Sequence, residues 1–261
     1  MKFVHKVSKG TRFNQIYIPK EMERVFEVGD LVEIKLIEKK SKLYYSKNLK
    51  KLGEFKERLI QEIFNSLKKF NEIKQIFVVG SFLTKIDYND IDLILVLKDK
   101  ALTNKNFEDK LNNILISKLQ FRFHLLLIPE NKFFELEKIC PLTRNMLFYF
   151  VSDKPFEISK ETILDKNHIK FLLMMPEDLL EIKSNSRVFY DNLRRIITIE
   201  MFLENKTYNL DVIESELKKL FGEALFNYLR NNEPIDDKII TNLREIIKSK
   251  LKKIKSKLEE V

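Results

Sequence analysis

The chain has 261 residues, with 48 Lys and Arg against 39 Asp and Glu, for a net charge of +9. That length predicts one to two domains, and a single cysteine, Cys140, excludes an intrachain disulfide and suits a reducing cytoplasm. The apolar stretches are strand-length, which excludes a transmembrane helix and a membrane partner, and the start MKFVHKVSKG lacks the apolar core of a signal peptide.

Residues 4–37 open the chain with a predicted strand ending in Ser8-Lys9-Gly10. Ile16-Tyr17-Ile18-Pro19-Lys20-Glu21 and a short helix follow, then a Gly29-Asp30 turn and a strand of sequence LVEIKLI. That last strand alternates apolar and charged residues, as a half-buried sheet requires. Pro19 suits a first helical turn, where its missing N–H has no partner to lose. The layout resembles the AbrB/SpoVT-type swapped-hairpin DNA-binding domain, through Ser8-Lys9-Gly10, Ile18-Pro19-Lys20-Glu21 and Gly29-Asp30. The stretch from Gly10 to Ile16 is longer here than in the commonest form. The resemblance implies a small β-barrel built by two interleaved chains, hence a homodimer, with DNA contacts at Lys6, Lys9 and Arg12 and a further candidate at Lys20. Charge agrees: residues 1–50 hold 12 Lys and Arg against 6 Asp and Glu, and such cations give a salt-sensitive affinity for phosphate. A lysine-rich surface without DNA contacts and a barrel serving only to dimerise are the other readings.

A basic connector, residues 39–51, places Tyr44 and Tyr45 among lysines, either to stack on bases or to tuck against a domain. Residues 54–70 put Phe55, Leu59, Ile63, Phe64, Leu67 and Phe70 at helical spacing. The apolar run IFVV then reads as a buried strand. Gly80 and Ser81 open a turn, and Asp90 and Asp92 begin a second apolar run ending at Leu97. Side chains alternate along a strand, so the two aspartates share a face. Adjacent carboxylates repel and are costly to bury unpaired, and a hard divalent cation is the usual remedy.

This Gly-Ser turn followed by Asp-x-Asp resembles the signature of the nucleotidyltransferase superfamily of polymerase-beta-like fold, and in particular the minimal nucleotidyltransferases. The resemblance covers residues 77–97. It implies that Gly80 and Ser81 bind a nucleoside triphosphate through backbone N–H groups, while Asp90 and Asp92 hold Mg²⁺ (or Mn²⁺) against its phosphates. Thr84 and Lys85 stand where many members carry a further glycine. The family's third carboxylate has no acidic counterpart in the predicted strand 119–129, whose faces are Arg122, His124, Leu126, Ile128 and Phe121, Phe123, Leu125, Leu127. His124 aligns with it. Three roles stay open for His124: a metal ligand, a general base near neutral pH, or a hydrogen-bonded histidine in a protein of weakened catalysis.

A helix over 107–118 connects the two strands. Beyond Pro129, Pro141 and Pro155 interrupt mixed helical and extended patterns, Cys140 is expected to pack, and Arg144 suits a salt bridge better than a phosphate. Pro176-Glu177-Asp178 reads as a helix start. Further helices are predicted over 187–203, 211–230 and 236–258, the last lined by lysines that suit a coiled-coil arm, a nucleic-acid face or the cap of a bundle. Tyr190, Arg194 and Arg195 are positioned as substrate contacts, since Arg pairs bidentately with phosphate.

The expected fold is α+β: an AbrB/SpoVT-like domain (1–40), a linker (41–53), a nucleotidyltransferase-like sheet domain (54–160) and a helical domain (161–261). Two functions follow. One is an enzyme that transfers a nucleoside monophosphate to a hydroxyl of a small molecule, an RNA end or a protein. The other is a DNA-binding regulator or antitoxin whose nucleotidyltransferase-type domain senses nucleotide without turnover.

Overall fold

The computed structural model describes residues 5–35, 41–98, 106–206 and 208–260. Two compact units divide the chain, residues 1–40 and 41–261.

In the first unit, β1 (Ser8–Lys9) pairs antiparallel with β2 (Asn14–Gln15), Ser8 opposite Gln15. The Gly10 N–H closes the intervening turn on the Phe13 carbonyl at 3.1 Å. A side chain at Gly10 would meet that carbonyl oxygen at 2.3 Å, so the turn requires glycine. Pro19 precedes a single 3-10 turn, Lys20–Met22, in place of the expected short helix. The predicted strand LVEIKLI is not formed where it is described: residues 31–35 are irregular, and 36–37 lie outside the described residues. Among the described residues no barrel closes.

The second unit is α+β with a five-stranded mixed sheet. Its elements begin with β3 (Tyr44–Tyr45), α1 (Glu54–Leu67), β4 (Ile73–Val79), α2 (Ser81–Thr84), β5 (Ile91–Leu97), α3 (Phe107–Leu119) and β6 (Phe123–Pro129). They continue with α4 (Glu130–Ile139), α5 (Pro141–Met146), β7 (Val151–Ser152), α6 (Lys166–Asp178) and α7 (Ser186–Leu203). The chain ends with α8 (Leu210–Phe221), α9 (Glu223–Arg230) and α10 (Asp237–Glu260). Strand order is β3-β7-β4-β5-β6; β5 and β6 run parallel and the other pairs antiparallel. The parallel pair needs a crossover, which α3 supplies. Tyr44 and Tyr45, in the basic connector of the sequence, thus form an edge strand, with the Tyr45 hydroxyl donating to Glu57 at 2.7 Å.

Alternation along β4 and β5 sorts the apolar residues onto two faces. Ile76, Val78, Ile91, Leu93, Leu95 and Leu97 pack beneath α1 and α3 with Ile60, Ile63, Phe64 and Leu111. Phe77, Val79, Ile94, Val96 and Ile128 form the other core with Phe133 and Phe150. Both faces are covered, so the strands read as continuous apolar runs rather than alternating ones. Each such large side chain, fully buried, contributes about 1.5–3 kcal/mol.

A third core joins α5 to α10. Pro176 lies inside α6, not at a helix start, correcting the expectation from its acidic neighbours. A proline there leaves the carbonyl four residues back without its helical donor. That carbonyl, on Leu172, accepts from Arg195 Nη1 of α7 at 3.4 Å. The predicted 211–230 helix is two helices, broken at Gly222, whose φ of 84° only glycine adopts readily.

The lysines of α10 face acids rather than solvent alone. Glu200 binds Lys250 at 2.6 Å and also Lys253; Glu204 binds Lys206 at 2.6 Å, Lys253 at 3.3 Å and Lys257. With Leu243, Ile247, Leu251, Ile254 and Leu258 buried, α10 caps the bundle. Hydrogen bonds from Lys206 and Lys257 hold the Glu204 carboxyl down at about 2, against an ordinary 4.5. A depressed carboxyl stabilises the fold above its unfolded pKa, and that contribution is lost as pH falls through the folded value. Thermal melts between pH 5 and 2 are therefore expected to fall more steeply for the wild type than for Glu204→Gln; equal slopes would refute the pairing.

Candidate functional site

β4 ends at Val79, which sits opposite Asp92 in the antiparallel register. The backbone then turns at Gly80 with φ 81° and ψ −163°, a region essentially restricted to glycine. A Cβ at Gly80 would lie 2.1 Å from Asp92 Oδ2. The glycine is therefore needed twice: for its backbone angles, and because the Asp92 carboxylate occupies the space a side chain would take.

Asp92 and His124 are register partners on the parallel strands β5 and β6, so both project from the face that carries Ile94 and Ile128. His124 Nδ1 lies 3.2 Å from Asp92 Oδ1. The imidazole is largely exposed, the carboxylate only 26 % so. Burial first, then the negative charge of Asp90, push the Asp92 carboxyl up; the bond from His124 and the charges of His124 and Arg194 pull it back. The repulsion expected between the two aspartates is thus present, and Asp92 feels it.

The turn from Ser81 to Lys85 is held from two sides. From α1, Lys56 Nζ donates to the Phe82 carbonyl at 2.5 Å and the Lys85 carbonyl at 2.8 Å. From α8, Glu214 accepts Lys85 Nζ at 2.9 Å, and its Oε1 also accepts the Tyr190 hydroxyl at 3.2 Å. Nothing in the sequence singles out Lys56 or Glu214, and Lys85 stands out there only as a departure from glycine. Their spacing of tens of residues carries no periodic signal.

Of the three α7 residues expected as contacts, the structure separates one. Tyr190 and Arg194 lie on the side of Asp92 and Glu214. Arg195, one position on, is rotated away and serves the Leu172 carbonyl instead. Arg144 is also engaged internally, donating to the carbonyls of Glu137, Ser159 and Glu161. Cys140 is buried, and His168 and Thr143 favour its thiolate against the cost of burial. Lys6, Lys9 and Arg12 are exposed around the β1–β2 hairpin of the first unit.

Among the described residues no group of three or more His, Cys, Asp or Glu side chains could hold a metal ion alone. Mg²⁺ is commonly bound by one or two carboxylates, with phosphate oxygens and water completing the shell. The donor set of two mutually repelling carboxylates fits such an ion. A cavity of about 640 Å³ lies elsewhere, between Thr162, Phe202, Glu204 and Lys257. Its Lys206 and Lys257 both pair with Glu204.

No known protein-family model matches the chain, and no curated protein matches it. Among the described residues no helix is long and apolar enough to cross a membrane.

Proposed function

We propose that the chain is a DNA-binding protein whose second unit, of nucleotidyltransferase type, binds a nucleoside triphosphate with Mg²⁺ or Mn²⁺ between the Gly80-Ser81 turn and the Asp90 and Asp92 carboxylates. The observation that carries this reading is the fit of Gly80 against Asp92, which sets a side-chain-free turn against a half-buried carboxylate that the charge of Asp90 opposes. Asp90 and Asp92 would hold the cation, which when bound neutralises triphosphate charge. His124, bonded to Asp92 through Nδ1, leaves its other ring nitrogen to take a proton from an acceptor hydroxyl of a small molecule, an RNA end or a protein.

A second reading has its own support. The strand beside Asp92 offers imidazole where the resemblance expects a third carboxylate, which removes an anion from the site. A cytoplasmic regulator or antitoxin that binds nucleotide without transferring it is consistent with that change. Calorimetric titration with each common ribo- and deoxyribonucleoside triphosphate, plus Mg²⁺ or Mn²⁺, tests the shared premise; no heat with any of them overturns it. Label transfer to cellular RNA or protein separates enzyme from regulator.

The first unit is read as a homodimeric DNA-binding element. A single copy leaves Phe13, Val28, Leu31 and Ile34 strongly exposed, more apolar surface than so short a segment can carry alone. A second copy interleaved with the first would cover it. In band shifts on a duplex from its own promoter, Lys9→Ala with Arg12→Ala is expected to reduce the logarithmic salt slope by about two per protomer. An unchanged slope would remove these residues from the interface.

A further inference from the structure

Residues 81–89 connect the Gly80 turn to Asp90, and beyond the single turn of α2 they form no regular element. Among the described residues, backbone bonding along this connection ends at Lys85, whose N–H donates to the Ser81 carbonyl at 2.8 Å. It resumes at Ile91, whose N–H donates to the Arg122 carbonyl at 3.0 Å. Side chains therefore set the course between. Lys56 of α1 spans that gap. Its Nζ donates to the Phe82 carbonyl at 2.5 Å and the Lys85 carbonyl at 2.8 Å. It also lies 5.3 Å from the centroid of the Phe82 ring and 5.5 Å from that of Tyr88. The two rings meet edge to face, with centroids 4.9 Å apart. Phe82 is wholly buried, and Tyr88 packs on the core beneath α1 and α3. Among the described residues Lys56 has no acidic partner, so its charge is met by carbonyl oxygens and aromatic rings. Phe82 stands two residues after Gly80, and Tyr88 two residues before Asp90. One ammonium thus anchors both ends of the connection.

Resting on the site reading above, we propose that Lys56 is a positioning residue of this site: its ammonium fixes the Gly80-Ser81 turn and Asp90 relative to one another, so that both meet one cation–triphosphate ligand. Misplacing either end by a fraction of the chain's own dimensions spoils that joint grip, because binding depends on groups held in register before the ligand arrives. A lysine that touched phosphate itself would change nucleotide affinity and leave that of the bare metal ion unchanged. A lysine that served only the fold would change stability and leave both affinities unchanged.

Two titrations of the full chain decide between these: Mn²⁺ alone, followed by electron paramagnetic resonance, and Mg²⁺–ATP or Mg²⁺–GTP, followed by calorimetry. Lys56→Met keeps an unbranched stem beside the rings and removes the three donors. It is expected to bind Mn²⁺ roughly threefold more weakly than wild type, and Mg²⁺–nucleotide roughly tenfold more weakly. Lys56→Arg, which can also donate to two carbonyls and lie over the rings, is expected to recover most of both. Tyr88→Leu removes the ring at the Asp90 end and carries the same direction for Mn²⁺ if the methionine variant does not fold. Weakened nucleotide with unchanged Mn²⁺, or both unchanged in a folded variant, overturns the positioning role. Failure of the wild type to bind either Mn²⁺ or Mg²⁺–nucleotide overturns the site reading, and this role with it.

Discussion

Asp90→Asn combined with Asp92→Asn is expected to weaken Mg²⁺-dependent binding of nucleoside triphosphate at least about 100-fold, without lowering the melting temperature. Two anionic ligands are removed from an ion that relies on carboxylates for its hold. The fold, by contrast, gains. Burial and Asp90 both disfavour the Asp92 charge, so a neutral isostere relieves a cost that the native chain carries. The amide introduced at position 92 would still offer a carbonyl oxygen to His124. Calorimetry and thermal melts on one preparation test both halves. Retained binding would remove the carboxylates from the site, and a large fall in melting temperature would make them structural.

Gly80→Ala is expected to destabilise the protein by about 2–4 kcal/mol and to impair the site with it. The new methyl would sit 2.1 Å from Asp92 Oδ2, and its backbone would be held at φ 81° and ψ −163°. Either the carboxylate swings away from His124 or β4 and β5 shift in register; both disturb the arrangement that presents Asp92. Urea unfolding measures the loss as a shift in midpoint at constant slope. A change below about 0.5 kcal/mol would mean that the close approach is not there. Gly53, which has open space around it and no positive φ, is the matched control, since alanine there meets neither obstacle.

The central strands are legible in the sequence because they are short, continuous apolar runs, and the two-residue period places Asp92 with Ile94, whereas Asp90 precedes β5, which begins at Ile91. The same period puts His124 with Ile128. What it does not give is the neighbour: that Asp92 meets His124 rather than Arg122 or Leu126 is a matter of parallel register, set by where α3 delivers β6. Two-residue strands such as Tyr44–Tyr45 and Val151–Ser152 carry too little pattern to read, and their pairing joins distant parts of the chain. Acids after Pro176 suggest a helix start, but tertiary packing lets α6 run through the proline, because Arg195 takes over the abandoned carbonyl. Gly222 is visible, yet the apolar spacing on either side continues across it, which conceals the break. Arg194 is within reach of the sequence as one of a pair of arginines. Only helical geometry says which of the two is committed to the Leu172 carbonyl.

The arrangement at Leu172 has an evolutionary corollary. Positions 176 and 195 do not drift independently: a lineage that trades the proline for any residue with an amide hydrogen frees the guanidinium from its duty, while one that loses the arginine first leaves a stranded oxygen in the interior. The order of those two changes therefore decides whether an ancestor crosses a gap or walks along a ridge.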